Sequence, residues 1–288
     1  MARQSAAGEK RAYFIRLADE SRWLLQAADP AAEEMVRRYA SALGLSAAVV
    51  SSDKELQSAH SLFIRSEWAT GLSEPDSIHR PSHASELGDL FLAMRKIQHQ
   101  FSRSLLEVNR AVLLHGALVC PPGVPQVGVI LSARRGVGKT TACRRLPPDW
   151  EALADETVLV VRDAQGTFWG HPFPTLSRFA NGGSGGVWQT ERAVPLAAAF
   201  FLKQAPEDRL EPIGQGQAAA LLTCAAEQIS YWLTELPLDT VRILRQKRFD
   251  QLCRLAQSVP AFVLHLTLTG RFWELIEQAL DEKVVRDR

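Results

Sequence analysis

Three groups of residues in this chain have the types and spacing for phosphate chemistry. The first is the stretch 127–141, VGVILSARRGVGKTT: an apolar run, a glycine-bearing turn, then Lys139, Thr140 and Thr141. That order is the sequence form of a strand feeding a phosphate-cradling loop and a helix start. In the Walker-A pattern GxxxxGK[ST] the first glycine would fall at 133, where this chain has Ala133. Gly136, Gly138, Lys139 and Thr140 fit. The pattern predicts a nucleotide-binding P-loop lined by Ala133, Arg134, Arg135, Gly136, Val137, Gly138, Lys139, Thr140 and Thr141. The N–H groups of 135–140 would face phosphate oxygens, Lys139 would reach the β- and γ-phosphates, and the Thr140 hydroxyl would hold Mg²⁺. Alanine serves at 133 provided that φ there is ordinary. The plain alternative is a chance turn.

The second group is Asp155 and Glu156, fifteen residues after Thr140 in a run at 152–161, ALADETVLVV, that reads as one strand. Unpaired charge is costly to bury. Beside a phosphate loop the pair has a use: one carboxylate holds Mg²⁺ while the other orients and deprotonates an attacking hydroxyl. On a solvated edge strand, alternation would instead turn one of the two outward. The third group is His115 with Gly116, between two β runs. A histidine near phosphate can donate a hydrogen bond or carry a proton at neutral pH; it can equally be a satisfied structural residue. Farther along, HPFPTLSRFA at 171–180 is stiffened by proline and NGGSGG at 181–186 is loosened by glycine. A substrate rim and a mobile lid would read this way.

The elements that must position these groups follow from periodicity and turn chemistry. Runs at 13–17 and 23–26 predict a hairpin. Asp29 and Pro30 start a helix that Gly44 ends. Short apolar pieces at 47–50 and 62–64 precede a Ser-, Pro- and His-rich loop at 73–85. Leu87, Leu90, Phe91, Met94, Ile97, Phe101, Leu105 and Val108 recur at helical spacing, which predicts a core-packed helix over 86–109. Beyond it lie strands at 111–114, 117–120, 127–131, 197–203 and 260–269, and residues 168–170 pair back on the run before them. Helices are expected at 139–146, 215–226, 229–233, 241–256 and 272–280.

The 288 residues suit one large domain, or a core domain with a smaller partner. A net charge of +1 gives no basic surface for nucleic acid. Four dispersed cysteines form no CxxC pair, so reduced thiols and a cytoplasmic location are expected. Neither a signal peptide nor a membrane span is read in the chain.

LHGALV, ARRGVGKT and LADETV, in that order, resemble the catalytic core of the HPr kinase/phosphorylase family, bacterial serine kinases whose fold is related to phosphoenolpyruvate carboxykinase. The short spacing from lysine to acids is the discriminating sign. The resemblance implies ATP and Mg²⁺ as cofactors, Asp155 as general base and Glu156 as metal or substrate ligand. It makes Lys139 and His115 active-site residues and Thr140 a second metal contact. Ala133 departs from that family's loop, and its later acidic, glycine-rich signature has no counterpart here. A narrower resemblance spans most of the chain: the N-terminal hairpin and helix, HPFPTLSRF, VPLAAAFFLKQ, DRLEPIG and VPAFVLHLTLTGRFW look like the SynChlorMet cassette protein ScmC group, associated with modification of ribosomally made peptides.

Together these readings predict an α/β protein with a mixed sheet. A tail at 1–10 precedes a small N-terminal α+β region at 11–109 for substrate recognition or lid action. An HPr-kinase C-terminal-domain-like nucleotide domain follows at 110–288. The expected partner is a peptide or small-protein substrate, with no nucleic acid and no membrane; a homo-oligomer is left open. Two alternatives stand beside the peptide kinase: a kinase of small-molecule hydroxyls, and a nucleotide-binding scaffold without catalysis, for which Ala133 and the missing signature argue.

Overall fold

A computed structural model describes residues 11–49, 58–65, 86–108, 110–123, 126–174 and 188–286. Within them the chain is a mixed α/β protein of thirteen strands and six α-helices, arranged around two sheets. The loop expected at 73–85 and the glycine run at 181–186 lie outside the described residues.

The smaller sheet is N-terminal. Strands β1 (Arg11–Arg16) and β2 (Arg22–Ala27) form the expected antiparallel hairpin. β3 (Ala48–Val49) joins β1, and β4 (His60–Ile64) lies parallel to β2. Asp29 caps a 3₁₀ turn at Pro30–Ala32, its carboxylate accepting from the Ala32 N–H at 3.1 Å. Helix α1 (Glu33–Ala42) follows, and Gly44 leaves it with φ near 70°. Helix α2 (Glu86–Glu107) buries Met94, Ile97, Phe101 and Leu105, as its spacing predicts.

The larger sheet has nine strands. β5 (Ala111–His115), β9 (Thr157–Arg162), β10 (Phe168–Pro172), β11 (Val194–Gln204), β7 (Gly128–Ser132), β6 (Ala117–Cys120) and β8 (Glu151–Ala154) pair in that spatial order. β13 (Ala261–Leu266) lies parallel to the C-terminal half of β11, and β12 (Arg209–Ile213) pairs antiparallel with β13. β7 is parallel to β11 and antiparallel to β6.

One expected strand is two. The run 152–161 splits into β8, which pairs with β6, and β9, which pairs with β5 and β10 at the far end of the sheet. Asp155 and Glu156 are the break between them. The partner ribbon breaks at the matching point, Gly116 between β5 and β6, where the Gly116 N–H donates to the Glu156 carbonyl at 2.9 Å. A side chain at 116 would start 3.1 Å from Ile130 Cγ2 and 3.3 Å from the Leu131 carbonyl oxygen, so the bend favours glycine. β12 was not expected either. RLEPI carries two charges and a proline and shows no apolar alternation, as suits a strand with little burial.

Core packing explains why the strands read as unbroken apolar runs. Ala111 and Leu113 of β5, with Leu159 and Val161 of β9, face a core shared with the N-terminal sheet, α1 and α2. Val112, Leu114, Val158 and Val160 face a second core under helices α4 (Gln215–Glu227) and α5 (Leu238–Ser258). A strand buried on both faces has no polar side to alternate. A third core covers the other face of β6, β7 and β11 with helix α3 (Lys139–Arg145) and helix α6 (Phe272–Arg286). Phe101 ties the two sheets together, edge-on to Trp23 at 5.1 Å and stacked with Phe173 at 5.8 Å. Among the described residues, no helix is long and apolar enough to cross a membrane.

Candidate functional site

The 133–138 loop leaves the C-terminal end of β7. Just before it, the Ser132 hydroxyl donates to the His115 carbonyl at 2.9 Å, which fastens the ends of β7 and β5 to each other. Gly136 and Gly138 take φ of 84° and 101°, where only glycine is unstrained, and a side chain at 136 would meet open space. Ala133 is buried in the third core. Among the described residues the one non-glycine with positive φ is Glu20, so position 133 makes no conformational demand for glycine. The departure from the glycine pattern therefore costs no backbone strain. Arg134, Arg135, Thr140 and Thr141 are exposed, and Val137 packs at the rim of the third core. No side chain caps the start of α3 at Gly138.

Lys139 turns the other way, into the protein. It is buried, and its ammonium donates a short hydrogen bond to the backbone carbonyl of Asp155. Burial lowers its pKa, opposed by the nearby Glu156, Cys143 and Asp155. His115 sits at the matching bend and is half-buried. Burial pushes it down to about 4, helped by the Lys139 and Arg135 cations; Glu156, through its carboxylate and its carbonyl, pulls the other way. Without a bound anion His115 is thus neutral at pH 7. As it stands it can hydrogen-bond, and an anion bound beside it would raise its pKa.

The structure therefore gathers Lys139, Asp155, Glu156 and His115 from three separate chain segments. Asp155 and Glu156 are half-buried in the joint rather than displayed along a strand, which is how two adjacent carboxylates escape the burial cost that a strand interior would impose. Cys143, one turn beyond Lys139, is pushed up to about 11 by burial and is a neutral filler rather than a thiolate.

These donors suit a phosphate-bound Mg²⁺. Hydroxyl and carboxylate oxygens at 140, 155 and 156 are of the right type. Among the described residues, no three His, Cys, Asp or Glu side chains gather into a metal cluster.

The segment read as a substrate rim is different. His171 and Phe173 are fully buried, and residues 175–187 lie outside the described part. The His171 Nε2 accepts from the Ala18 N–H at 3.2 Å and its Nδ1 donates to the Thr190 carbonyl at 2.8 Å, so the ring pins the N-terminal hairpin to the large sheet. Two residues near the loop were not singled out from sequence, Gln204 and Gln228, whose side-chain amides reach the Val137 and Ala133 carbonyls. A glutamine ending a strand or a helix carries no pattern that would mark it.

Comparison with curated proteins finds no match. The family described as SynChlorMet cassette protein ScmC matches residues 85–281, about two thirds of the chain, from α2 through most of α6. That span contains the loop, the acid pair, His115 and every strand of the large sheet, and the chain belongs to this family.

Proposed function

We propose that the chain is an HPr-kinase-like phosphotransferase that moves the γ-phosphoryl group of ATP, with Mg²⁺, to a serine or threonine hydroxyl of a peptide or small protein. The observation that carries this reading is the meeting of Lys139 with the acid pair: the lysine of a glycine-bearing loop lies against the bend that holds Asp155 and Glu156. A buried ammonium whose hydrogen bond goes to a neutral carbonyl gains from an incoming anion. Opposite it, a carboxylate within the same site can take a proton.

The roles follow. The loop amides and Lys139 receive the β- and γ-phosphates. Asp155 accepts the proton of the attacking hydroxyl. Thr140 and Glu156 are the side chains that would hold Mg²⁺, which when bound neutralises phosphate charge. His115, neutral, hydrogen-bonds at the same bend. Ala133 does not adopt positive φ, so alanine there is compatible with a working loop. Membership of a family associated with a peptide-modifying cassette favours a peptide over a small-molecule acceptor.

The test is transfer from γ-labelled ATP to a panel of peptides and metabolites. Asp155→Asn should lose roughly 10²–10⁴-fold in rate, and Lys139→Ala should lose ATP binding measured by calorimetry. A wild-type rate in Asp155→Asn would remove the assigned base; ATP binding with no product on any acceptor would favour the scaffold.

A further inference from the structure

Three carbonyls of the loop accept hydrogen bonds from other groups of the protein. The Arg134 carbonyl accepts from the Val137 N–H at 3.2 Å, closing a tight turn. The Val137 carbonyl accepts from Gln204 Nε2 at 3.1 Å, and the Ala133 carbonyl from Gln228 Nε2 at 3.4 Å. A trans peptide unit points its N–H opposite to its C=O. Engaging the carbonyls of 133, 134 and 137 therefore turns the N–H groups of Arg134, Arg135 and Gly138 away from those partners.

The positions of the two glutamines fit that task. β11 runs parallel to β7 with Phe201 level with Ser132, so Gln204 overhangs the loop by three residues. Ala198, Phe200 and Leu202 on the same face belong to the core that contains Ala133 and Ala142. The face stays apolar while it covers buried chain and ends in an amide that reaches the Val137 carbonyl. A side chain built on Gly138 would stand 4.0 Å from Gln204 Nε2. Gln228 is the residue at which α4 ends, and it reaches the first carbonyl of the same loop.

We propose that Gln204 and Gln228 are positioning residues that orient the 133–138 loop, holding its carbonyls toward themselves so that its amides are set on the opposite side to receive phosphate. The proposal rests on the nucleotide-binding reading above. Neither glutamine need touch the nucleotide. Each acts through a peptide plane.

The full-length protein is titrated calorimetrically with MgATP and, separately, with inorganic triphosphate, which reports the phosphate cradle alone. Gln204→Leu should weaken both by the same factor, roughly three- to tenfold. Gln228→Leu should weaken both by less, given its longer contact, and the double variant more than either. Gln204→Lys, which restores a donor, should recover most of the affinity. Both side chains are exposed, and thermal unfolding of each variant should match wild type. Wild-type affinity in Gln204→Leu, or equal loss in Gln204→Lys, overturns the proposal while leaving the nucleotide reading standing. If wild-type protein binds neither probe, both fall together.

Discussion

The His171 ring makes stability depend on pH in a window that can be stated in advance. It is fully buried, its Nε2 accepting from the Ala18 N–H and its Nδ1 donating to the Thr190 carbonyl. Only the neutral ring with its proton on Nδ1 satisfies both contacts. Burial pushes its pKa from 6.5 to about 4, against weaker pulls upward from the Thr190 carbonyl and Asp19. Above pH 6.5 the ring is neutral both folded and unfolded, and the full stability is present. As pH falls below 6.5 the unfolded chain takes up a proton that the folded ring refuses until about pH 4, so stability is lost through that window. Between pH 7.5 and 4.5 the loss from this one group is about 2.5 kcal/mol. His115, down to about 4, and His99, down to about 3, act in the same direction, so the wild-type profile alone does not isolate His171. Urea unfolding of wild type and His171→Gln across pH 4.5–7.5 does. The variant should be less stable at pH 7.5 by roughly 1–3 kcal/mol, through buried backbone groups left without partners. The difference should then shift by about 2.5 kcal/mol in the variant's favour toward pH 4.5, closing the gap or reversing it. Parallel curves would refute the reasoning, because they would mean the ring titrates alike in both states.

Three further outcomes follow from the packing. Gly116→Ala places a Cβ 3.1 Å from Ile130 Cγ2 and should cost about 1–3 kcal/mol in urea unfolding; since the Gly116 N–H holds the Glu156 carbonyl, the proposed phosphoryl transfer should fall beyond what the stability loss explains. Phe101→Ala removes the ring between Trp23 and Phe173 and should cost about 3–5 kcal/mol. Gly138→Ala forces a side chain to φ near 101° and should weaken ATP binding measured by calorimetry, with about 1–2 kcal/mol of backbone strain.

Much of this architecture was legible because local pattern and tertiary use agree. Met94, Ile97, Phe101 and Leu105 announce α2, and all four are buried on one face. Asp29, Pro30 and Gly44 mark the helical segment whose ends they occupy. The break at Asp155 and Glu156 was not legible. Residues on both sides favour strand, and what divides them is a change of partner from β6 to β5 and β10, which is non-local. His171 and Pro172 read in sequence with the loop-like run 171–180, yet they end β10 with His171 fully buried, because a proline just after a strand looks the same in sequence whether the chain there is exposed or covered. Gln204 was missed because an amide after an apolar strand looks like the strand reaching water. Its use depends on a carbonyl 67 residues away in sequence.

The joint between the paired ribbons explains why a lysine and two acids can meet without a strand interior having to bury them. Both ribbons break at the same point, where the Gly116 N–H donates to the Glu156 carbonyl. The bend frees backbone groups from the ladder on both sides. One of these, the Asp155 carbonyl, becomes the partner of Lys139. Asp155 thus contributes twice, its main chain to the lysine and its side chain, on the proposed reading, to the substrate hydroxyl. Asp155→Asn separates the two, because it keeps the carbonyl and the side-chain shape while removing the basic oxygen. A loss of transfer in that variant with unchanged ATP affinity would therefore assign the effect to the carboxylate. A loss of both would mean that the side chain also sets the bend on which Lys139 depends.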